Sequence, residues 1–188
     1  MAPQFFKPII NNIMEKINIY TDGRHAKGDK HDVTYGICMV TKDKMVKTHS
    51  GALDTEAFYN QFQVYVSNPT AELYAAAKVL EIFKEAKNVE IIIHSDYVGV
   101  QKWINREWKA KKEYIRVLLQ YIDSYMAKLY NNNSVVEFQW IKGHSGHEFN
   151  DLADSLCKVK AHDELKDWVN RHNLEQNKKS KFQNPQHA

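Results

Sequence analysis

VEIIIHSD, Val89 to Asp96, is a short and almost wholly apolar run that closes on a serine and an aspartate. It reads as a strand buried on both faces, inside a sheet with helices on either side. The stretch before it is helical. TAELYAAAKVLEIFKEAK, residues 70–87, carries Leu73, Ala76, Ala77, Leu80 and Phe83 at three- and four-residue steps and is entered through Pro69 and Thr70. Further upstream, INIYTD (17–22), YGICMVT (35–41) and KMVKTHSGAL (44–53) are β-branched and aromatic runs separated by turn residues, an antiparallel meander. DTEAFYNQFQVYVSNP, residues 54–69, reads as a polar and aromatic connection. A fourth strand that follows a helix joins such a meander only through a crossover. Downstream come helical stretches at 97–108 and 113–130 separated by KAKK, a strand VVEFQWI (135–141), the loop KGHSGHEFNDLAD (142–154), and a last helix from Phe149 through Trp168. The order predicts an α/β fold: a five-stranded mixed sheet, three antiparallel strands then two parallel additions, flanked by helices.

Length and charge narrow the class. The chain has 188 residues, 43 % of them hydrophobic, enough for one sizeable core, and a formal charge of +3, which is no overwhelming basic field. Residues 1–15 read as an amino-terminal extension, 16–170 as the domain, and 171–188 as a polar, disordered tail of Asn, Gln, Lys and Ser. The opening MAPQFFKPIINNIMEK lacks the apolar core of a signal peptide, and nowhere do about twenty apolar residues run together. Cys38 and Cys157 have no zinc-like spacing and read as buried free thiols. A soluble, cytoplasmic protein is expected.

Acids occupy matching places. Asp22 ends INIYTD and Asp96 ends EIIIHSD, so parallel neighbours would set both carboxylates at the carboxyl edge of the sheet, where like charges repel unless a cation lies between them. Glu72 falls in the first turn of the crossover helix. Asp151 and Asp154 lie three apart on the last helix, while Leu152, Leu156 and Val159 form its buried stripe. Taken singly, each acid is more often a turn, cap or helix-dipole residue than a ligand. Neither cysteine sits in a loop beside a histidine and no GxSxG occurs, so covalent nucleophile chemistry has little support.

YTDG, TAEL, HSD and KGHSGHEFNDLAD, in that order on those elements, resemble the ribonuclease H type 1 family over roughly Ile17 to Lys160. The resemblance implies a ribonuclease H-like fold and an endonuclease that hydrolyses the RNA strand of RNA/DNA hybrids by a two-metal-ion mechanism, giving 5′-phosphate and 3′-hydroxyl ends. It implies two Mg2+ ions, with Mn2+ as a possible substitute, held by Asp22, Glu72, Asp96 and Asp154, with Asp151 a poor second for the fourth place. His144 matches a loop histidine that assists proton transfer or product departure. His147 is assigned to fixing the loop through a ring hydrogen bond. A zinc site from the two histidines would need further nitrogen or sulfur ligands, and Cys157 is placed for packing.

For the substrate, Asn68 matches a family asparagine that reads sugar or base edges in the minor groove. WINREWKAKK (103–112) lies where relatives carry a basic protrusion, with Arg106, Lys109, Lys111 and Lys112 as phosphate contacts and Trp103 as core. After TDG the chain departs from the family: RHAKGDKHDVTYG replaces a glycine- and proline-rich turn, and Arg24 within it becomes a candidate RNA contact. Pro69 and Tyr97 are further departures. A monomer is expected. The alternatives are another nuclease of the same fold and a catalytically silent module that binds hybrid without cutting; the KGHSGH loop with its trailing NDLAD favours the hybrid-specific reading.

Overall fold

The computed structural model describes residues 14–158 and 162–183. Five strands, β1 (Glu15–His25), β2 (Val33–Thr41), β3 (Val46–Ala52), β4 (Val89–Ser95) and β5 (Val135–Trp140), form one sheet in the order β3-β2-β1-β4-β5. β1 pairs antiparallel with β2, and β2 with β3; β4 lies parallel to β1, and β5 parallel to β4. The expected mixed sheet is therefore present, and β4 sits inside it, hydrogen-bonded on both edges.

Helices α1 (Thr55–Phe62), α2 (Asn68–Phe83), α3 (Val98–Ile104), α4 (Glu113–Asn131), α5 (Glu148–Leu156) and α6 (His162–Gln183) complete the chain. Strand alternation divides the core in two. Ile17 and Ile19 of β1, Ile37 of β2, and Ile91 and Ile93 of β4 pack with Leu73, Ala76 and Leu80 of α2 and with Leu119 and Ile122 of α4. Tyr20, Cys38 and Val40 pack on the opposite face with Leu152, Ala153 and Leu156 of α5. Both cysteines are buried and free. Among the described residues no helix is long and apolar enough to cross a membrane.

Three sequence expectations require correction. The connection at 54–69 contains α1, because Asp54 accepts a capping hydrogen bond from the Ala57 amide at 2.9 Å and Phe58 and Phe62, one turn apart, both meet the Tyr114 ring of α4. The last helix is two helices, since α5 ends at Leu156. The stretch from 171, read as a disordered tail, continues α6 to Gln183. Polar residues suit this helix because it lies against a sheet edge: the Asn173 side chain accepts from the Val46 amide at 2.7 Å and donates to the Val46 carbonyl at 2.8 Å, while His172 reaches the Lys44 carbonyl at 2.9 Å. A helix that satisfies an edge strand in this way blocks further pairing there. Residues 184–188 lie outside the described residues, as does the expected extension up to residue 13; β1 already includes Glu15.

Candidate metal centre

β1 and β4 run side by side in parallel register as far as Thr21 opposite Ser95, so Asp22, which remains paired with Gly36 of β2, and Asp96 come next to each other where that ladder ends. Glu72 arrives from α2. Gly23 permits that approach: a Cβ there would stand 2.2 Å from the Ala71 carbonyl carbon and 2.3 Å from the Glu72 nitrogen, so any side chain would push the helix away. The three carboxylates offer oxygens that all lie within 4.8 Å of one another.

Among the described residues no lysine, arginine or histidine forms an ion pair with any of the three. Glu72 is 3 % exposed and its Oε2 has no hydrogen-bond partner. Burial, with the charges of Asp22 and Asp96 behind it, pushes the Glu72 carboxyl well above the usual range. Burial likewise raises Asp22, with smaller contributions from Asp96 and Asp154. Clustered carboxylates with an orphaned buried oxygen and no internal counter-charge fit a divalent cation, and donors that are all oxygen suit a hard one.

Asp154 is not gathered into this cluster. Its carboxylate pairs with Lys158, just past the end of α5, at 2.7 Å, although its charge is felt at Asp22. Asp151 lies in the first turn of α5, where its carbonyl accepts from the Ser155 hydroxyl at 2.8 Å. His144 is exposed on the loop before α5, with φ at 48°, and Gly143 beside it lies so close to Asp96 that a Cβ would come 2.6 Å from Oδ2. Among the described residues His147 makes ring contacts rather than the expected ring hydrogen bond: its ring lies 4.8 Å from that of Tyr20, which in turn stacks on His94 at 4.5 Å. Burial, with His147 nearby, lowers His94 to about 4, so this column of rings is uncharged at its base near neutrality.

The expected substrate residues are mostly engaged within the protein. Asn68 Oδ1 accepts from the His25 amide at 2.9 Å, which ties the start of α2 to the end of β1. Arg24 donates to the Cys157 carbonyl at 3.4 Å and lies 3.8 Å from Asp32. Arg106 pairs with Asp123. Arg106 and Lys109 line a cleft of about 380 Å³ together with Trp108, which is 42 % exposed, and Arg116. Lys111 and Lys112 are exposed at the entry to α4, and Trp103 packs against the core as expected.

Two residues beside the acids escaped sequence reasoning. Asn150 is 3 % exposed, with Nδ2 3.5 Å from Asp96 Oδ2 and Oδ1 unpartnered. Its place four residues before Asp154, on one helix face, was a usable signal. Trp140 Nε1 donates to the Asp96 carbonyl at 2.9 Å, and nothing in its local sequence marks it.

A family profile described as RNase H matches residues 14–162, stopping where α6 starts. A protein named ribonuclease H from Legionella pneumophila (strain Corby) is 31 % identical over 154 residues, covering 77 % of this chain and 95 % of its own length. An N-terminal RNase H domain from Mycobacterium tuberculosis, solved as a fusion with maltose binding protein, superposes with a TM-score of 0.57 at 18 % identity, covering 79 % of this chain and 98 % of that one. LC11-RNase H1, solved in complex with an RNA/DNA hybrid, superposes at 0.52 and 18 % identity over 74 % of this chain and 94 % of its own.

Proposed function

The chain belongs to the ribonuclease H family, and we propose that it cuts the RNA strand of RNA/DNA hybrids internally, leaving 5′-phosphate and 3′-hydroxyl ends. The observation that carries this reading is the set of three carboxylates, on β1, on α2 and just after β4, within 4.8 Å and, among the described residues, without an ion-pair partner. The hybrid found with LC11-RNase H1 supports the choice of substrate.

Asp22, Glu72, Asp96 and Asp154 are the residues that would hold two magnesium ions, or manganese in their place, which when bound supply an activated water and neutralise charge on the phosphate and the departing 3′ oxygen. For Asp154 to join the other three, its carboxylate must turn from Lys158. A surface i,i+4 pair is worth only about 0.3–0.5 kcal/mol, so attraction to a cation outweighs it easily. His144, on the exposed loop next to Asp96, serves proton transfer or product departure. Asn68 reads the minor groove, while Arg24, Arg106, Lys109, Lys111 and Lys112 contact phosphates; Arg106 does so by exchanging Asp123 for the strand.

The test presents one labelled RNA as hybrid, as RNA duplex and as single strand, with magnesium, beside Asp22→Asn. Cutting of the hybrid alone, lost on chelation and in the variant, is expected. Hybrid binding by a folded wild-type protein that cuts none of the three would overturn the reading in favour of a silent binding module.

A further inference from the structure

The loop that departs from the family pattern has a structural counterpart. Residues 26–32 fold back on themselves, with the Ala26 amide donating to the Asp32 carbonyl at 2.9 Å. Three contacts brace the loop: Arg24 to Asp32 at 3.8 Å, the Asp29 carboxylate accepting from the His31 amide at 2.9 Å, and the His31 ring meeting the Thr55 hydroxyl at 3.2 Å. Its tip holds Lys30 over the ring of Tyr65, 4.3 Å from the centroid. Tyr65 stacks on Tyr59 at 4.8 Å and remains 41 % exposed.

Lys30 differs from Lys102, Arg106 and Arg116 beyond β4. Lys102 pairs with Glu107, Arg106 with Asp123, and Arg116 donates to the Ala110 and Lys111 carbonyls. Among the described residues Lys30 forms no ion pair with a carboxylate, since Asp29 turns to the backbone. An aromatic face attracts an exposed ammonium by about 0.5–1 kcal/mol, which favours this position without neutralising the charge. The site also stands at the working end of the sheet. His25 closes β1 there, and its amide binds Asn68, one turn of α2 and about 6 Å from Glu72. Tyr65 precedes Asn68 by three residues, at most about 11 Å of chain.

We propose that Lys30, Tyr65 and Tyr59 form a shelf for the sugar–phosphate backbone of one strand of the hybrid, Lys30 taking a phosphate and the exposed edge of Tyr65 a sugar. This rests on the proposed hybrid-cutting function and adds a second anchoring point to it. With Tyr65 up to about 17 Å from Glu72 and a strand rise of about 3.4 Å, the shelf meets a nucleotide no more than about five from the scissile phosphate.

The test measures hybrid binding in EDTA against salt concentration for wild type, Lys30→Gln, Tyr65→Leu and Tyr65→Phe, with melting temperatures alongside. Losing one phosphate contact lowers the slope of log K against log salt by about 0.9. Lys30→Gln should show that loss and a several-fold higher KM in magnesium. Tyr65→Leu should weaken binding several-fold, and Tyr65→Phe should largely restore it. Hybrids with either the RNA or the DNA strand trimmed to within two nucleotides of the cut site identify the strand held: the Lys30→Gln difference should vanish when that strand is short. An unchanged slope in a protein of unchanged melting temperature overturns the shelf, whereas an equal effect on full and both trimmed hybrids places the contact within two nucleotides of the cut. Either result leaves hybrid cutting by wild type intact, whereas failure of wild type to cut any hybrid removes the reading beneath it.

Discussion

The two faces of the sheet share the same strands and do opposite things. Along β1 and β4 the residues turned to α2 and α4 are Ile17, Ile19, Ile91 and Ile93, none more than 9 % exposed. The alternate positions are Asn18, Tyr20, Asp22, Ile92, His94 and Asp96: a hydrogen-bonded Asn–His pair, a stacked ring column and two acids without a counter-charge. The face turned to α2 and α4 is closed by apolar packing, while the other, beside the smaller core it shares with α5, carries acids with no ion-pair partner among the described residues. The period of two in a strand lets a single segment serve both ends without compromise at any one residue.

That division can be probed from the closed face outward. Ile93→Ala, at a fully buried position, should cost about 2–5 kcal/mol, seen in denaturant unfolding. Gly23→Ala tests the junction, because its Cβ overlaps the α2 backbone. It should cost about 1–3 kcal/mol and, unlike Ile93→Ala, also weaken magnesium binding by moving Glu72. Asn173→Ala removes two hydrogen bonds from the edge of β3, far from the acids. About 1–3 kcal/mol of stability should go with hybrid cleavage unchanged. Tyr20→Leu removes ring pairs with His94, His147 and Phe149, about 0.5–1.5 kcal/mol each, and should also lower kcat because the column seats the loop that carries His144. Full cleavage by Tyr20→Leu would show that the loop does not depend on the column.

The closed face was legible in the sequence. β4 announced itself as an apolar run, α2 as a three-and-four periodicity, and the mixed sheet of three antiparallel strands and two parallel additions followed from the crossover rule. The acids were legible only jointly, since Asp22 and Asp96 each look like turn residues until a parallel register sets them side by side. What escaped depends on contacts distant in sequence. α6 looks like a polar tail because its partner is backbone at the edge of β3, which asks for amides and imidazoles. Asn150 and Trp140 act on Asp96 from elements 54 and 44 residues away. Asp154, expected with the other acids, is held by Lys158, a pair that helical spacing alone makes available.

The function proposed for this edge of the sheet depends on Asp22, Glu72 and Asp96 being carboxylates that await a divalent cation. The raised carboxyls of Glu72 and Asp22 set a sign: a carboxyl raised in the folded state stabilises the metal-free protein while protonated and loses that contribution as pH rises through its folded value. At pH 7 the metal-free wild type should therefore melt below Glu72→Gln, by about 2–4 °C for each kcal/mol of desolvation and repulsion relieved. Added magnesium should raise the wild type and leave the variant nearly unmoved. That pair of melting curves, with and without magnesium, is the direct test. Equal melting temperatures without metal and equal gains with it would contradict the assignment, because Glu72 would then be neither strained nor a ligand.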